Sequence, residues 1–276
     1  MTTTLDGTAQ DAGDRDDRYG FGGILGSEWT KLTTVRSTVW TLLATAVVGI
    51  GLGAIVTSAQ AARWASRSPV ARAAFDPTRS SLAGVLFAQL AIGVLGVLVV
   101  SAEYSTGTIR ATFSAVPRRP LVLVAKACVF GVVTLVVGEI VSLVAFLIGQ
   151  GILSGKTPTA VLSDPGVIRA VSGGGLYLLA LGLLALGLAW IIRVTAAAIS
   201  TFVGILFILP IIADVLPSSF TSDISRFLPA TIGTVMISAH YHGTDPFGPW
   251  TGFALLSAYA ALALLVGGVL LVRRDA

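Results

Sequence analysis

Long apolar runs alternate along this chain with short polar breaks. Cutting at the charged and Pro/Gly-rich breaks leaves six apolar segments, residues 39–59, 82–100, 121–153, 177–192, 196–216 and 250–272. Each is near or above the ~17 residues that an α-helix needs to cross about 30 Å of hydrocarbon. The fourth is the shortest, and its helix is expected to begin earlier, near Val171. Lipid offers the backbone no hydrogen-bond partner, so spanning segments are helices or closed barrels, and these runs lack the period-2 alternation of barrel strands. The pattern predicts an all-α polytopic membrane protein: a six-span domain over 38–276, an amphipathic helix over 21–37 and a tail over 1–20. With Asp6, Asp11, Asp14, Asp16 and Asp17 and few large apolar side chains, the tail is expected to be disordered. The first apolar run lies too deep in the chain, and is too long, for a cleaved signal peptide.

Two polar stretches have a periodicity of their own. In SAEYSTGTIRATFSAVPRRP, residues 101–120, Ser105 or Thr106 can cap a helix and Pro117 forbids its continuation. Between them Ile109, Phe113 and Val116 recur at helical spacing, leaving Arg110, Thr112 and Ser114 on other faces. The apolar stripe of this short helix suits either the membrane surface or a groove on a soluble partner, and periodicity does not choose. Pro120 then starts the third span, with Lys126 placed to snorkel back towards headgroups. Upstream, Phe21, Ile24, Leu25, Trp29, Leu32 and Val35 make one apolar face and Glu28, Thr30, Lys31 and Thr34 the other. Such a helix is expected in the interface plane before the first span.

Composition agrees: 54% hydrophobic, 12% charged and a mean hydropathy of +0.87, far more apolar than an ordinary globular domain. The net charge of +4 does not imply nucleic acid as a partner, because no basic run is interleaved with exposed aromatics. With the amino terminus inside, the inner side holds Lys31, Arg36, Arg110, Arg118, Arg119, Lys126, Arg193, Arg273 and Arg274. The outer side holds Arg63, Arg67, Arg72, Arg79, Lys156, Arg169 and Arg226, so the positive-inside bias is weak and the loop over 63–79 runs against it. This orientation puts both termini in the cytoplasm and the chain in the plasma membrane. Trp40, Trp64, Trp190 and Trp250 fall at span ends, as indoles at the headgroup level do. Cys128 is the only cysteine, which excludes an internal disulfide.

Candidate chemistry is sparse. Gly155-Lys156-Thr157 imitates a phosphate loop, but Gln150 stands where the motif needs glycine. Glu139, near the middle of the third span, is costly if ionised, by roughly 2.5–3.5 kcal/mol. It is therefore expected to be a cation or proton contact on a transport path, or a neutral acid satisfied by a neighbouring hydroxyl. Asp214 reads as a solvated terminus of the fifth span, and His240, His242 and Asp245 as solvated loop residues rather than a metal site. No nucleophile-base pair, zinc motif or carboxylate pair marks an enzyme. Gly173, Gly174, Gly175, Gly182, Gly187, Gly149 and Gly151 are read as packing residues. The stretch over 217–249 is too long for a plain connector.

Glu103-Tyr104, Gly107-Thr108, Ile109-Arg110, Pro117, Arg119 and Lys126 resemble the loop of type-2 ATP-binding cassette (ABC) exporter permeases. Glu28-Trp29-Thr30-Lys31-Leu32 through Arg36 is similar to the opening of many actinobacterial members, as is the closing Arg-Arg-Asp-Ala. The resemblance covers residues 24–276 and implies a coupling helix seated in a cleft of a separate ATPase. Glu103, Tyr104, Thr106, Gly107, Thr108, Ile109, Arg110 and Phe113 would make that contact, with Ile109 and Phe113 as an apolar plug and Glu103 and Arg110 as polar anchors. Glu28, Trp29 and Lys31 would belong to a connecting helix, and Glu139 to a possible pathway. The implied partners are two cytoplasmic ATPase subunits, a second permease subunit (homodimer or heterodimer) and the bilayer. This chain binds no cofactor of its own, ATP and Mg belonging to the ATPase. The implied function is export of an amphipathic or hydrophobic substrate, with short helices over 217–249 roofing the path. The competing classes are a non-transport anchor or sensor subunit and a proton-coupled secondary transporter using Glu139.

Overall fold

The computed structural model describes residues 20–215, 224–240 and 247–273, apart from the side chain of Asp214. The acidic tail over 1–19, residues 216–223, His242, Asp245 and Arg274 lie outside the described residues, as do the readings made of them.

The described chain is helical, without strands. Helix α1 (Phe21–Thr34) precedes the first span, α2 (Arg36–Ala62). Short helices α3 (Pro69–Ala73) and α4 (Pro77–Leu82) lead into α5 (Val85–Thr106), and α6 (Thr108–Ala115) joins α5 to α7 (Arg119–Leu153). Then come α8 (Val167–Ile192) and a fifth span made of α9 (Thr195–Val203), a π-helical turn (Gly204–Ile208) and α10 (Leu209–Val215). Helices α11 (Pro229–Met236) and α12 (Pro249–Arg273) complete the bundle. Six helical segments are long and apolar enough to cross a membrane, and the chain is a multi-pass membrane protein of all-α class. The fourth span begins at Val167, earlier even than Val171. The widened turn of the fifth span falls just before Pro210, which lacks an N–H and whose ring crowds the carbonyl four residues back.

Helix α8 is the post of the bundle: 67% of its apolar window is buried, against 17% for α2, which turns Val39, Trp40, Leu43, Val47 and Ile55 outward. Lipid tails are as apolar as leucine, so helices associate in a membrane through close packing rather than through the hydrophobic effect. Gly84 shows how close: a Cβ there would overlap the Gly49 carbonyl oxygen where the second span crosses α2. Gly149, Gly173, Gly174, Gly175, Gly182 and Gly187 likewise lie against neighbours, whereas Gly151 has nothing within 4 Å and is not a packing residue.

At one end of the bundle the connection over 63–79 is folded. Ser68 caps α3, and the Asp76 carboxylate caps α4, accepting from the N–H groups of Thr78 (2.8 Å) and Arg79 (3.0 Å). Its other oxygen accepts from the Ala239 N–H at 2.9 Å, and Arg169 donates to the carbonyls of Ser238 (2.7 Å) and Ala239 (3.0 Å). The segment after α11 is thereby clamped onto the start of the second span. The Gly155-Lys156-Thr157 stretch is a turn closing α7, with Gly155 at φ +73° and Lys156 exposed. Among the described residues no group of three or more His, Cys, Asp or Glu is placed to hold a metal.

Candidate functional site: a buried ion cluster behind the loop helix

At the opposite end of the bundle, α5 stops at Gly107, whose φ of +73° is the left-handed conformation that glycine adopts without a Cβ penalty. Helix α6 begins at the next residue. Neither Ser105 nor Thr106 is its N-cap; both lie in the last turn of α5, where their hydroxyls donate to the Ala102 carbonyl. Val116 leaves the helix in extended conformation, as a residue before proline does. Pro120 then sits in the first turn of α7, where its missing N–H costs nothing.

The apolar stripe of α6 faces its own bundle. Ile109 is 3% exposed and Phe113 8%, both within the main core, and the Arg119 guanidinium lies 5.3 Å from the Phe113 ring centroid. This corrects their assignment as a plug for a partner's cleft: burial against α5 and α7 already satisfies them. Thr106, Gly107, Thr108, Arg110 and Ser114 are exposed on the other side of α6. Tyr104 also turns inward, with its ring edge-on to buried Trp190 at 6.0 Å and beneath Arg193 at 5.1 Å.

Behind α6 lies an ion cluster. Lys126, placed by its sequence position to snorkel, does not: it is 2% exposed. Its ammonium donates to Glu28 Oε2 on α1 and to Glu103 Oε1 on α5, the latter at 2.8 Å. Lys31 Nζ donates to Glu28 Oε1 (2.7 Å), Glu103 Oε1 (3.2 Å) and Thr112 Oγ1 of α6 (3.4 Å). Two ammonium and two carboxylate groups thus meet with no net charge. A lone buried charge is prohibitive, and a fully paired set is tolerated because each ion sees opposite neighbours at low dielectric. Burial pushes the Lys31 ammonium down, but its hydrogen bond to Glu28 and the fields of Glu28 and Glu103 outweigh that and hold it above its ordinary 10.5.

Glu28 therefore does not belong to the solvated face of α1. It lies on one line with Ile24 and Leu32, at i, i+4 and i+8, and all three are buried. Trp29 and Phe21, on the face that the pattern reads as apolar and interfacial, are 49% and 41% exposed. The helical pattern sets Thr112 off the apolar stripe without naming its partner, and it places Lys126 at the headgroups rather than in this buried cluster. The signal for Lys126 was its place several residues inside an apolar run. Beside the cluster, a cavity of about 340 Å³ opens between α1, α2 and α5, walled by Leu32, Val35, Leu98 and Val99 with Glu103 and Lys126 at its polar end.

Glu139 lies elsewhere, beyond the middle of α7. Gly175 of α8 leaves room for its carboxyl group, which makes no hydrogen bond or ion pair among the described residues and borders a groove of about 330 Å³ lined by Leu143, Leu162 and Ile168. Arg110 is exposed, and its side chain takes no part in the hydrogen bonds that join Glu28, Lys31, Glu103, Thr112 and Lys126. No protein-family model matches the chain, and no curated protein matches it.

Proposed function

We propose that the chain is the membrane-spanning permease subunit of an ABC exporter in the plasma membrane. In this reading two such subunits work with two separate ATPases, and both termini are cytoplasmic. The observation that carries the reading is the attachment of α6. An eight-residue helix between two spans is seated by Ile109 and Phe113 and bonded from behind, through Thr112, to an ion cluster that also holds α1, α5 and α7. A surface helix merely resting on lipid needs no such bearing. A lever does, because a push on its outer face must reach the spans without being lost in side-chain motion. Closure of the ATPase pair would press on Thr108, Arg110 and Ser114, and the cluster would carry the displacement into α5, α7 and α1 together, rocking the bundle. The substrate expected from the apolar walls is an amphipathic or hydrophobic molecule.

The test is whether a soluble ATPase with a complete phosphate loop is encoded beside this chain and co-purifies with it, followed by a screen for compounds that stimulate hydrolysis. Arg110→Glu is expected to reduce capture of the ATPase about tenfold, as loss of a charge at an interface does, while leaving thermal unfolding of the isolated chain unchanged. A cysteine at position 114, in a background where Cys128 is serine, should resist membrane-impermeant maleimide on intact cells. Rapid labelling from outside, or undiminished capture by the Arg110→Glu variant, refutes the proposal.

One observation favours a second reading. Glu139 is unpartnered among the described residues and borders a groove, as a proton site in a secondary transporter would. That reading expects transport that survives without any ATPase and is abolished by Glu139→Gln, whereas the exporter reading expects transport to stop when the ATPase is removed.

A further inference from the structure

Arginines at the end of the bundle away from the ion cluster call for a reason, since topology alone disfavours so many of them between the first two spans. Here the geometry points to a binding site for a phosphate group, carried by a lipid headgroup or free in solution, between the end of α2 and the helices α3 and α4. A pocket of about 350 Å³ lies there, with Gln60, Arg67, Arg79 and Ser80 in its polar wall and Leu86 in its apolar one, a volume suited to a small ligand. The Arg67 guanidinium stacks on Phe75 at 5.1 Å and on Trp64 at 5.9 Å, which fixes its plane and leaves its edge to donate. Nη2 of Arg67 donates to Gln60 Oε1 at 3.1 Å, which orients the Gln60 amide and leaves its nitrogen as a donor. Arg79 is exposed and has no side-chain partner among the described residues. Ser80, on the same wall, is only 3% exposed, and its buried hydroxyl has no hydrogen-bond partner among the described residues.

The carboxylate on the wall, Asp76, offsets one of the two guanidinium charges and leaves the pocket an excess of one positive charge. Both its oxygens are taken by backbone N–H groups, those of Thr78, Arg79 and Ala239. What the pocket offers an anion is two guanidinium groups and an amide, carried by different elements. A planar carboxylate is served by a single guanidinium fork, whereas a tetrahedral phosphate accepts from several directions at once. The Leu86 wall accommodates whatever apolar or glyceryl portion is attached.

The site is tested on the full chain, purified and delipidated in detergent, with no ATPase present, so its fate is separate from that of the exporter reading. Native mass spectrometry would compare phosphatidylglycerol, inorganic phosphate and diacylglycerol, which lacks the phosphate. Phosphatidylglycerol is expected to bind and diacylglycerol not. The pair Arg67→Gln with Arg79→Gln should weaken binding at least about tenfold, as loss of charge-assisted hydrogen bonds does. The pair Arg63→Gln with Lys156→Gln removes equal charge from the same end outside the pocket and should weaken it less than about threefold. Arg79→Gln alone, which breaks no contact in the fold, should still weaken it several-fold. Inorganic phosphate competing at the same variants would identify a soluble ligand, and failure to compete a lipid. Equal losses in the two double variants, or equal binding of diacylglycerol, overturns the site.

Discussion

The two ends of the bundle handle charge in opposite ways. At the end bearing α1 and α6, two lysines and two glutamates are drawn inward and consume one another, so that Lys126 sits at 2% exposure among four helices. At the end bearing α3, α4 and α11, the only carboxylate among the contacting groups is spent on backbone N–H groups, while Arg67 and Arg72 stack on Trp64 and Arg79 stands free among the described residues. Pairing makes a stiff, neutral joint, whereas unbalanced guanidinium makes a surface that seeks an anion. The first suits transmission of force between elements, and the second suits recognition.

The largest expected effect breaks the joint. Lys126→Met strands Glu28 beside a single remaining lysine and should cost about 3–5 kcal/mol in unfolding experiments in nanodiscs. Adding Glu28→Gln should recover at least half of that loss; a double variant no better than the single one means that packing, not pairing, holds α1. At the other end, Arg169→Met removes both bonds to the segment after α11 and should cost about 2 kcal/mol. Asp76→Ala removes the cap of α4 and the bond to Ala239 and should cost about 1–2 kcal/mol, with Asp76→Asn recovering only part of it because one amide oxygen can replace only one of the two accepting oxygens. The smallest effect belongs to Lys31, whose side chain is 41% exposed and therefore screened, so Lys31→Gln should cost well under 1 kcal/mol. Its pKa is raised, so its contribution is complete below the ordinary 10.5 and fades as pH climbs through the higher folded value. A wild-type chain that keeps its advantage over Lys31→Gln as pH climbs well above 10.5 would contradict the assigned pairing.

Much of the fold was legible because lipid leaves the backbone few choices. Apolar runs of spanning length had to become helices, and the positions of Pro117 and Pro120 mark where α6 ends and α7 begins, whereas the widened turn of the fifth span is not read from Pro210. The site was legible only in part. Glu103, Glu28 and Lys31 stood out from the sequence, yet nothing local says that Glu28 and Lys126, 98 residues apart, share a proton donor and acceptor. The periodicity of α6 announced an apolar face without naming what covers it, and the cover turned out to be the bundle itself. Glu28 could have been placed from its spacing with Ile24 and Leu32, had the cost of burying a carboxylate not argued for water.

The sequence by itself determined the class of molecule, the number of spans and the existence of α1 and α6. These follow from hydrophobicity and period, which act within a few turns of helix. Only the tertiary structure decided which charges meet, which way the stripe of α6 turns and where the arginines over 63–79 converge. Those outcomes depend on helices remote in sequence being brought within a few ångströms, where low dielectric makes pairing decisive and where glycines such as Gly84 permit the approach.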